Sequence, residues 1–561
     1  MCRIRFVNYK ILLPAFVILF ACVCQHCFAD AVWQYSVPAP SISDRTAQLW
    51  IPPNCKRIRG VVVACQNMLE RSLFERPAFR DAAASDSLAI LLIDSGHDQA
   101  PTDGRDPNHP KRSSLDIFLN PNYPQGEEDP VGAGQDLQTI LDELADKSGY
   151  SELKNAPLMP VGHSSAGSFV WHLYRWDPSR IFAMLPFKTG AKDDGPAGIP
   201  VMMVESEWFD YGNSMNDVWS RGSAQGRGAH GQCLFGYYVD IGSGHCDVTD
   251  ESIKAVALFM KKAVAARIPS NAPLDGQVVL KPISAESGWL LDSAAFGRPE
   301  NTPVMYKDYK GDPAKAYWYV DKELATYCQN HTEVELAKKP QQINFYPDGG
   351  APLPKGGTYS FSPTFLSDGE TFKVQASYID TLTGSDLYPP GTMLGNSEMP
   401  INYRVTSGAL VQVGPDTFKI RLHVGPIIPQ GNPWEPTLVA YTLGNAEYRP
   451  TERPAHVNIS IVNTQGAPQN IIFHSVPDQK TSSKSPIPLL AKASSGLPVE
   501  YFMVSGPAEI AADGKSLVLT QIPVRSKYPI QVTVGAFQWG RSIDPKIQSA
   551  DRVYQEFSII K

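Results

Sequence analysis

The chain has 561 residues, a formal net charge of -7, 43% hydrophobic and 19% charged residues. That is the make-up of a globular protein with ample core, long enough for roughly three to four domains. No basic block interrupts the acidic balance, which excludes nucleic acid as an expected partner, and 48 Pro with 43 Gly point to many turns and much β structure.

Arg3, Arg5 and Lys10 precede an apolar run from Ile11 to Cys24, too short to cross a membrane and suited to a signal peptide. Cys27-Phe28-Ala29 has small residues at the two positions signal peptidase reads, so residues 1–29 are expected to be removed. Leu19-Phe20-Ala21-Cys22 offers a lipobox instead, and lipidated Cys22 is then the route to a membrane. Either reading expects an exported protein: secreted, periplasmic or at the cell surface. The mature chain keeps Cys55, Cys65, Cys233, Cys246 and Cys328. Cys233 and Cys246 flank a strand and a loop and are candidates for a bridge. No CxxC pair or His/Cys cluster has zinc spacing, so neither metal nor cofactor is expected.

Residues 30–270 alternate strands and helices. Thr46–Ile51 alternates in polarity; Gly60–Cys65 and Leu88–Asp94 read as buried strands, with a helix at Pro77–Ser87 between them. Ala133–Lys147 is helical, with Leu137, Ile140, Leu141 and Leu144 at helical spacing. Strands are expected before Ser164, at Arg180–Leu185, at Pro200–Val204 and at Leu234–Ile241, and a last helix at Glu251–Ala265. Such alternation implies a parallel sheet covered on both faces. Beyond Pro273 helical periodicity fades and short strands appear between Pro, Gly and Asn turns. Pro436–Asn445 with Pro454–Ile461 parallels Ile530–Gly540 with Arg552–Ile559, each reading strand, Gly turn, loop, strand. This divides the second half into a β-rich module at 275–465 and a final β-sandwich at 466–561. The last module is similar to immunoglobulin-like repeats of bacterial exported proteins.

Gly162-His163-Ser164-Ser165-Ala166-Gly167 closes an apolar run and opens a helix. That is the form of a nucleophile elbow, a strand, a sharp turn, a serine and a helix. The turn needs small residues two before and two after the serine. Centred on Ser164 these are Gly162 and Ala166, whereas Ser165 would put His163 at one of them, so Ser164 is the candidate nucleophile. A serine needs a base, an orienting acid and an oxyanion hole. His245 lies between the last strand and the last helix, behind Gly242-Ser243-Gly244, glycines expected to let the loop approach the elbow. Thr249 or Asp250 is placed to cap the helix. His230 is a weaker candidate base, and His163 is expected to point away. The acid should follow the strand from Pro200 by about nine residues: Asp210 at ten is the first choice, Glu207 at seven the alternative, and Glu205 comes too early. The Ser165 N–H is one expected oxyanion donor; the other should come from Gln66-Asn67-Met68, with Asn67 best placed.

With serine, carboxylate and histidine in that order, the first 270 residues resemble the α/β-hydrolase superfamily. The layout is nearest to dienelactone-hydrolase-like and polyester-depolymerase-like esterases. It departs at Ala166, where Gly is usual, at Cys65-Gln66, where His-Gly is common, and in the spacing of Asp210. The resemblance implies a doubly wound sheet, attack by Ser164, an acyl-enzyme, and its release by water with His245 as general base.

The polar insert His97–Val131 is expected to rim the site. Trp208 and Trp219, with Phe209 and Tyr211, suit sugar rings or aryl groups, or else serve packing. Export together with β modules points by analogy to extracellular polysaccharide. The expected partner is therefore an acetyl, methyl or feruloyl ester on a polysaccharide or oligosaccharide, met by a monomeric enzyme. A secreted peptidase or lipase is the rival in class, the lipase disfavoured by the lack of a long apolar lid segment. A non-catalytic carbohydrate-binding or adhesion protein is the rival of another class; the intact serine, histidine and carboxylates stand against it.

Overall fold

A computed structural model of the chain describes residues 32–40, 46–94, 130–189, 198–208, 233–273, 276–346, 360–381, 391–422, 436–460 and 462–561. The N-terminal segment, the insert up to residue 129, Phe209, Asp210, Tyr211, Trp219 and His230 lie outside the described residues.

Eight described strands build one sheet: β1 (Tyr35–Pro38), β2 (Thr46–Trp50), β3 (Gly60–Cys65), β4 (Leu88–Ile93), β5 (Leu158–His163), β6 (Leu185–Phe187), β7 (Pro200–Ser206) and β8 (Leu234–Asp240). Their spatial order is β1-β2-β4-β3-β5-β6-β7-β8. β1 and β2 form an antiparallel edge, and every neighbouring pair from β4 to β8 is parallel. The helices are α1 (Glu70–Phe74), α2 (Pro77–Ser85), α3 (Pro130–Ser148), α4 (Gly167–Trp176) and α5 (Asp250–Arg267). α2 packs with α5, and α3 with α4. β3, β4, β5, β7 and β8 are buried along their whole length, as continuous apolar strands must be under helical layers. The doubly wound α/β sheet expected from the sequence is present. The strand expected at Arg180–Leu185 is shorter: Asp177 accepts the Ser179 N–H at 3.1 Å and starts a 3-10 turn at Pro178, leaving Leu185–Phe187 as the strand. β4 and β5 lie on opposite sides of β3, so the winding reverses there. Crevices open beyond the C-terminal strand ends at such a switch point, and those ends carry Gln66–Met68 and Ser164.

Cys233 and Cys246 remain thiols, as do the other three described cysteines. Cys233 immediately precedes β8, and Cys246 lies in the loop six residues beyond its last residue, Asp240.

The stretch expected to open the β-rich module packs on β8 of the large sheet. β9 (Trp289–Asp292), β10 (Val304–Met305) and β11 (Ala316–Tyr319) form a small sheet, and α6 (Lys322–Leu336) follows. The Asp321 carboxylate caps α6 by accepting the Leu324 N–H at 3.0 Å. Tyr319 donates its hydroxyl to the Tyr237 carbonyl on β8 at 2.7 Å, and Trp318 shares a buried cluster with Leu234.

Two copies of one β-sandwich follow. The first holds β12 (Gln342–Phe345), β13 (Ser360–Phe361), β14 (Thr371–Lys373), β15 (Ala376–Ile379), β16 (Asn402–Ser407), β17 (Leu410–Gln412), β18 (Thr417–Ile420), β19 (Thr437–Thr442) and β20 (Thr451–Val457). The second holds β21 (Ile471–Phe473), β22 (Gln479–Lys480), β23 (Ile487–Pro488), β24 (Ala491–Ala493), β25 (Glu500–Ser505), β26 (Ala508–Ile510), β27 (Ser516–Leu519), β28 (Ile530–Phe537) and β29 (Val553–Ile560). Sheets β13-β20-β19-β16 and β22-β29-β28-β25 match strand for strand. Each has a parallel first pair and a bulge in its last, at Val405/Ser407 and Met503/Ser505. Tyr403 and Tyr501 occupy one register position, and each hydroxyl accepts a backbone N–H at 2.8 Å, from Ala376 and Ala491. Neither copy hangs free. The second docks on the β1–β2 edge, with the Gly506 N–H on the Trp33 carbonyl and Tyr35 bonded to Ser526 at 2.6 Å. The first docks on the loop after β8.

Candidate active site

Ser164 follows the last residue of β5 with φ of 53°, a left-handed conformation that a non-glycine residue adopts at a cost. The local sequence permits it. A Cβ on Gly162 would run into the Ala166 carbonyl, and one on Gly167 into the Thr189 side chain. Ala166 has an ordinary φ of -72°, so replacing the usual glycine there imposes no backbone strain. Ser165 sits in the 3-10 turn Ser164–Ala166 that leads into α4. Ser164 Oγ lies 2.9 Å from His245 Nε2, within reach for the hydroxyl to donate to the imidazole. A serine and a histidine 81 positions apart in sequence are thus brought into one hydrogen bond by the ends of β5 and β8.

His163 is turned toward this pair, against expectation. Its ring centroid is 4.8 Å from that of His245, and its Nε2 donates to the His245 carbonyl at 2.9 Å. Beneath it lies Glu70, fully buried at the start of α1. One carboxylate oxygen accepts the His163 N–H at 2.7 Å; the other accepts the N–H groups of Asn67 and Met68 at 2.8 and 2.9 Å. The Asn67 amide donates to the His163 carbonyl at 2.9 Å. The Asn67 N–H is therefore turned onto Glu70 rather than toward Ser164, which corrects its expected place in the oxyanion hole. The carboxylate three residues on from Asn67 is the sequence signal for such a back-bond. Burial pushes the Glu70 carboxyl up to about 7, against the lowering pull of the amides.

The His245 loop is held from two sides. From the α/β unit, fully buried Lys188 donates to Ser243 Oγ (3.1 Å), the Gly244 carbonyl (2.7 Å) and the Asp247 carbonyl (2.8 Å), with Asp240 3.7 Å away. Burial raises the Asp240 carboxyl, and Lys188 pulls it back. Asp240 accepts the Thr249 hydroxyl at 2.7 Å, and Thr249 caps α5 through the Ser252 N–H at 3.0 Å. Glu207 accepts the Gly242 N–H at 2.8 Å and pairs with Arg449 of the first sandwich, both side chains fully buried. The Trp208 backbone N–H donates to the Ser243 carbonyl at 3.2 Å, and the indole ring lies 5.6 Å from the Arg449 guanidinium. Glu207 and Trp208 thus brace the loop. From the sandwich, Arg404 pairs with Asp247 and Glu452, and Glu452 accepts the Gly244 N–H. Arg404 holds the Asp247 carboxyl well below the usual range despite its burial, and burial beside Asp247 raises Glu452.

The loop glycines serve this docking rather than the elbow. Gly242 has φ of 86°, and a Cβ there would strike the Pro450 carbonyl; a Cβ on Gly244 would come within 3.1 Å of Pro454. Gly242→Ala is therefore expected to cost about 1–2 kcal/mol in backbone conformation alone and to shift the loop off Pro450. The thermal unfolding temperature should fall; a variant as stable as the wild type would mean that Gly242 does not need to lie against Pro450.

The first unit is a doubly wound α/β sheet with a left-handed serine where β5 passes into α4. No protein-family model matches the chain, and no curated protein matches its sequence. Among solved structures it is similar to LpqC, a poly(3-hydroxybutyrate) depolymerase from Bordetella parapertussis, at 14% identity, covering 43% of this chain and 94% of that one with a TM-score of 0.29. A dienelactone hydrolase from Anabaena variabilis is 15% identical over 43% of this chain and all of its own (100%), with a TM-score of 0.28. Est1E from Butyrivibrio proteoclasticus is 14% identical over 42% of this chain and 99% of its own, with a TM-score of 0.27.

Proposed function

We propose that the protein is an exported serine hydrolase that cleaves carboxylic esters through an acyl-enzyme on Ser164. One observation carries the reading: a serine at φ of 53° on a strand–helix elbow, with its Oγ 2.9 Å from an imidazole nitrogen. In this reading His245 takes the Ser164 proton as the hydroxyl attacks the ester carbonyl, and returns it to the departing alcohol. Water then repeats the sequence in reverse roles. The Ser165 N–H serves the oxyanion. Asp210 orients His245, because both oxygens of Glu207 are engaged by Gly242 and Arg449. Asp210→Asn should then lower kcat far more than Glu207→Gln, measured on p-nitrophenyl acetate; the reverse order would make Glu207 the acid.

The substrate we infer is a carbohydrate ester carrying an acetyl, methyl or feruloyl group. The signal-like N-terminus and the β-sandwich copies support it. A fluorophosphonate probe should label Ser164 in the folded protein, and a screen of acetylated, methylated and feruloylated glycans should release the matching acid or methanol. Folded protein that takes no label would overturn the hydrolase; labelled protein inactive on every glycan would overturn the substrate class alone.

A further inference from the structure

We propose that the first β-sandwich completes the hydrolase site: Arg404 and Glu452 are positioning residues that hold the His245 loop in register with Ser164. The inference rests on His245 acting as the base. Glu452 accepts the N–H of Gly244, the residue immediately before His245. Arg404 reaches the same loop two residues beyond His245, its Nε donating to Asp247 at 3.0 Å and its Nη2 to Glu452 at 2.9 Å. The histidine is therefore gripped on both sides by one ion cluster that the α/β unit alone does not contain. Arg449 adds a second grip through Glu207, which holds Gly242.

The duplicated sandwich supplies an internal comparison. Ser407 pairs Thr437 in the first copy and Ser505 pairs Thr533 in the second, which sets Arg404 against Phe502. Arg453 pairs Ala440 and Val553 pairs Ala536, which sets Glu452 against Arg552 one position earlier. The copy that docks on the β1–β2 edge thus has an aromatic ring and an opposite charge where the copy facing His245 has the Arg–Glu pair. These charges are not a requirement of the sandwich. Burying ions is costly unless each is paired and hydrogen-bonded, and here the pairing is completed by the catalytic loop itself. Misplacement of a reacting group by about 1 Å can cost on the order of a hundredfold in rate, which is the scale on which such a grip acts.

The test uses the full chain. Wild-type protein is first assayed with p-nitrophenyl acetate and the fluorophosphonate probe; an unreactive wild type overturns the hydrolase reading and this inference with it. Arg404→Met is then expected to lower kcat at least tenfold with KM within twofold, and to slow phosphonylation of Ser164 in parallel. Arg404→Lys, which keeps the charge and loses the planar fork, should recover part of that rate. Arg552→Met, the loss of an equal charge in the other copy, should leave kcat unchanged. A folded Arg404→Met with kcat within twofold of a reactive wild type overturns the positioning role alone. So does a loss confined to KM, or an equal loss in Arg552→Met. Should Arg404→Met not fold, Arg404→Lys and Glu452→Gln are judged by the same kcat and KM criteria, with a several-fold kcat loss expected and wild-type kcat overturning the role.

Discussion

Ser164→Ala is expected to lower kcat on p-nitrophenyl acetate by at least about a thousandfold while leaving the fold intact. Members of a nucleophile–base unit act together, and removing either typically forfeits almost the whole of their joint contribution. The structural cost should be small. Alanine fits the space of serine, its φ penalty at 53° matches the one serine already bears, and the hydroxyl lost here is bonded to His245 rather than to the framework. His245→Ala should lose a similar factor, and the double variant should be no worse than either single one. Circular dichroism with kcat on all three variants decides it. A Ser164→Ala protein that keeps a tenth of the rate would place the chemistry elsewhere, and strictly additive losses would mean that the two residues do not work as a unit.

The elbow was legible because its constraint is local and steric: a Cβ at 162 would strike the backbone of Ala166, and a run of apolar residues before it marks a buried strand. The sheet was legible for the same kind of reason, since strands covered on both faces read as near-continuous apolar runs. What escaped was long-range. Lys188, between Phe187 and Thr189, reads locally as a solvated lysine, yet it is fully buried beneath the His245 loop. Gly242 and Gly244 read as room for the loop to approach the elbow, while the residues that require them, Pro450 and Pro454, lie about two hundred positions on. α6 was missed because its buried stripe includes polar or small residues, with Leu324 and Cys328 beside Gln329 and Thr332, so little apolar periodicity survives. The geometry of the turn alone points His163 away; the partner that holds it toward the pair is a carbonyl 82 positions on, at His245.

Glu70 is the buried group whose removal should be felt most widely, because it ties the loop after β3 to the strand that carries the elbow. Glu70→Leu would leave the N–H groups of His163, Asn67 and Met68 without their acceptor. Each such orphan costs about 1–3 kcal/mol, so the variant should fail to accumulate as folded protein or unfold many degrees below the wild type. Glu70→Gln keeps one acceptor oxygen and gives a stability that can be measured, and its pH dependence isolates the carboxyl. With a folded value near 7 against an ordinary 4.5, the carboxyl's favourable contribution is fully present below about pH 4.5 and is lost as pH rises through 7, because the native state holds the proton longer than the unfolded chain does. The difference is on the order of 3 kcal/mol at about 1.4 kcal/mol per unit. Glu70→Gln should thus lie furthest below the wild type at pH 5 and close part of the gap by pH 8. Denaturant midpoints at the two pH values test this directly: a constant gap would mean that the Glu70 carboxyl stays ionised throughout, held by its three amide donors, and that burial does not govern its titration.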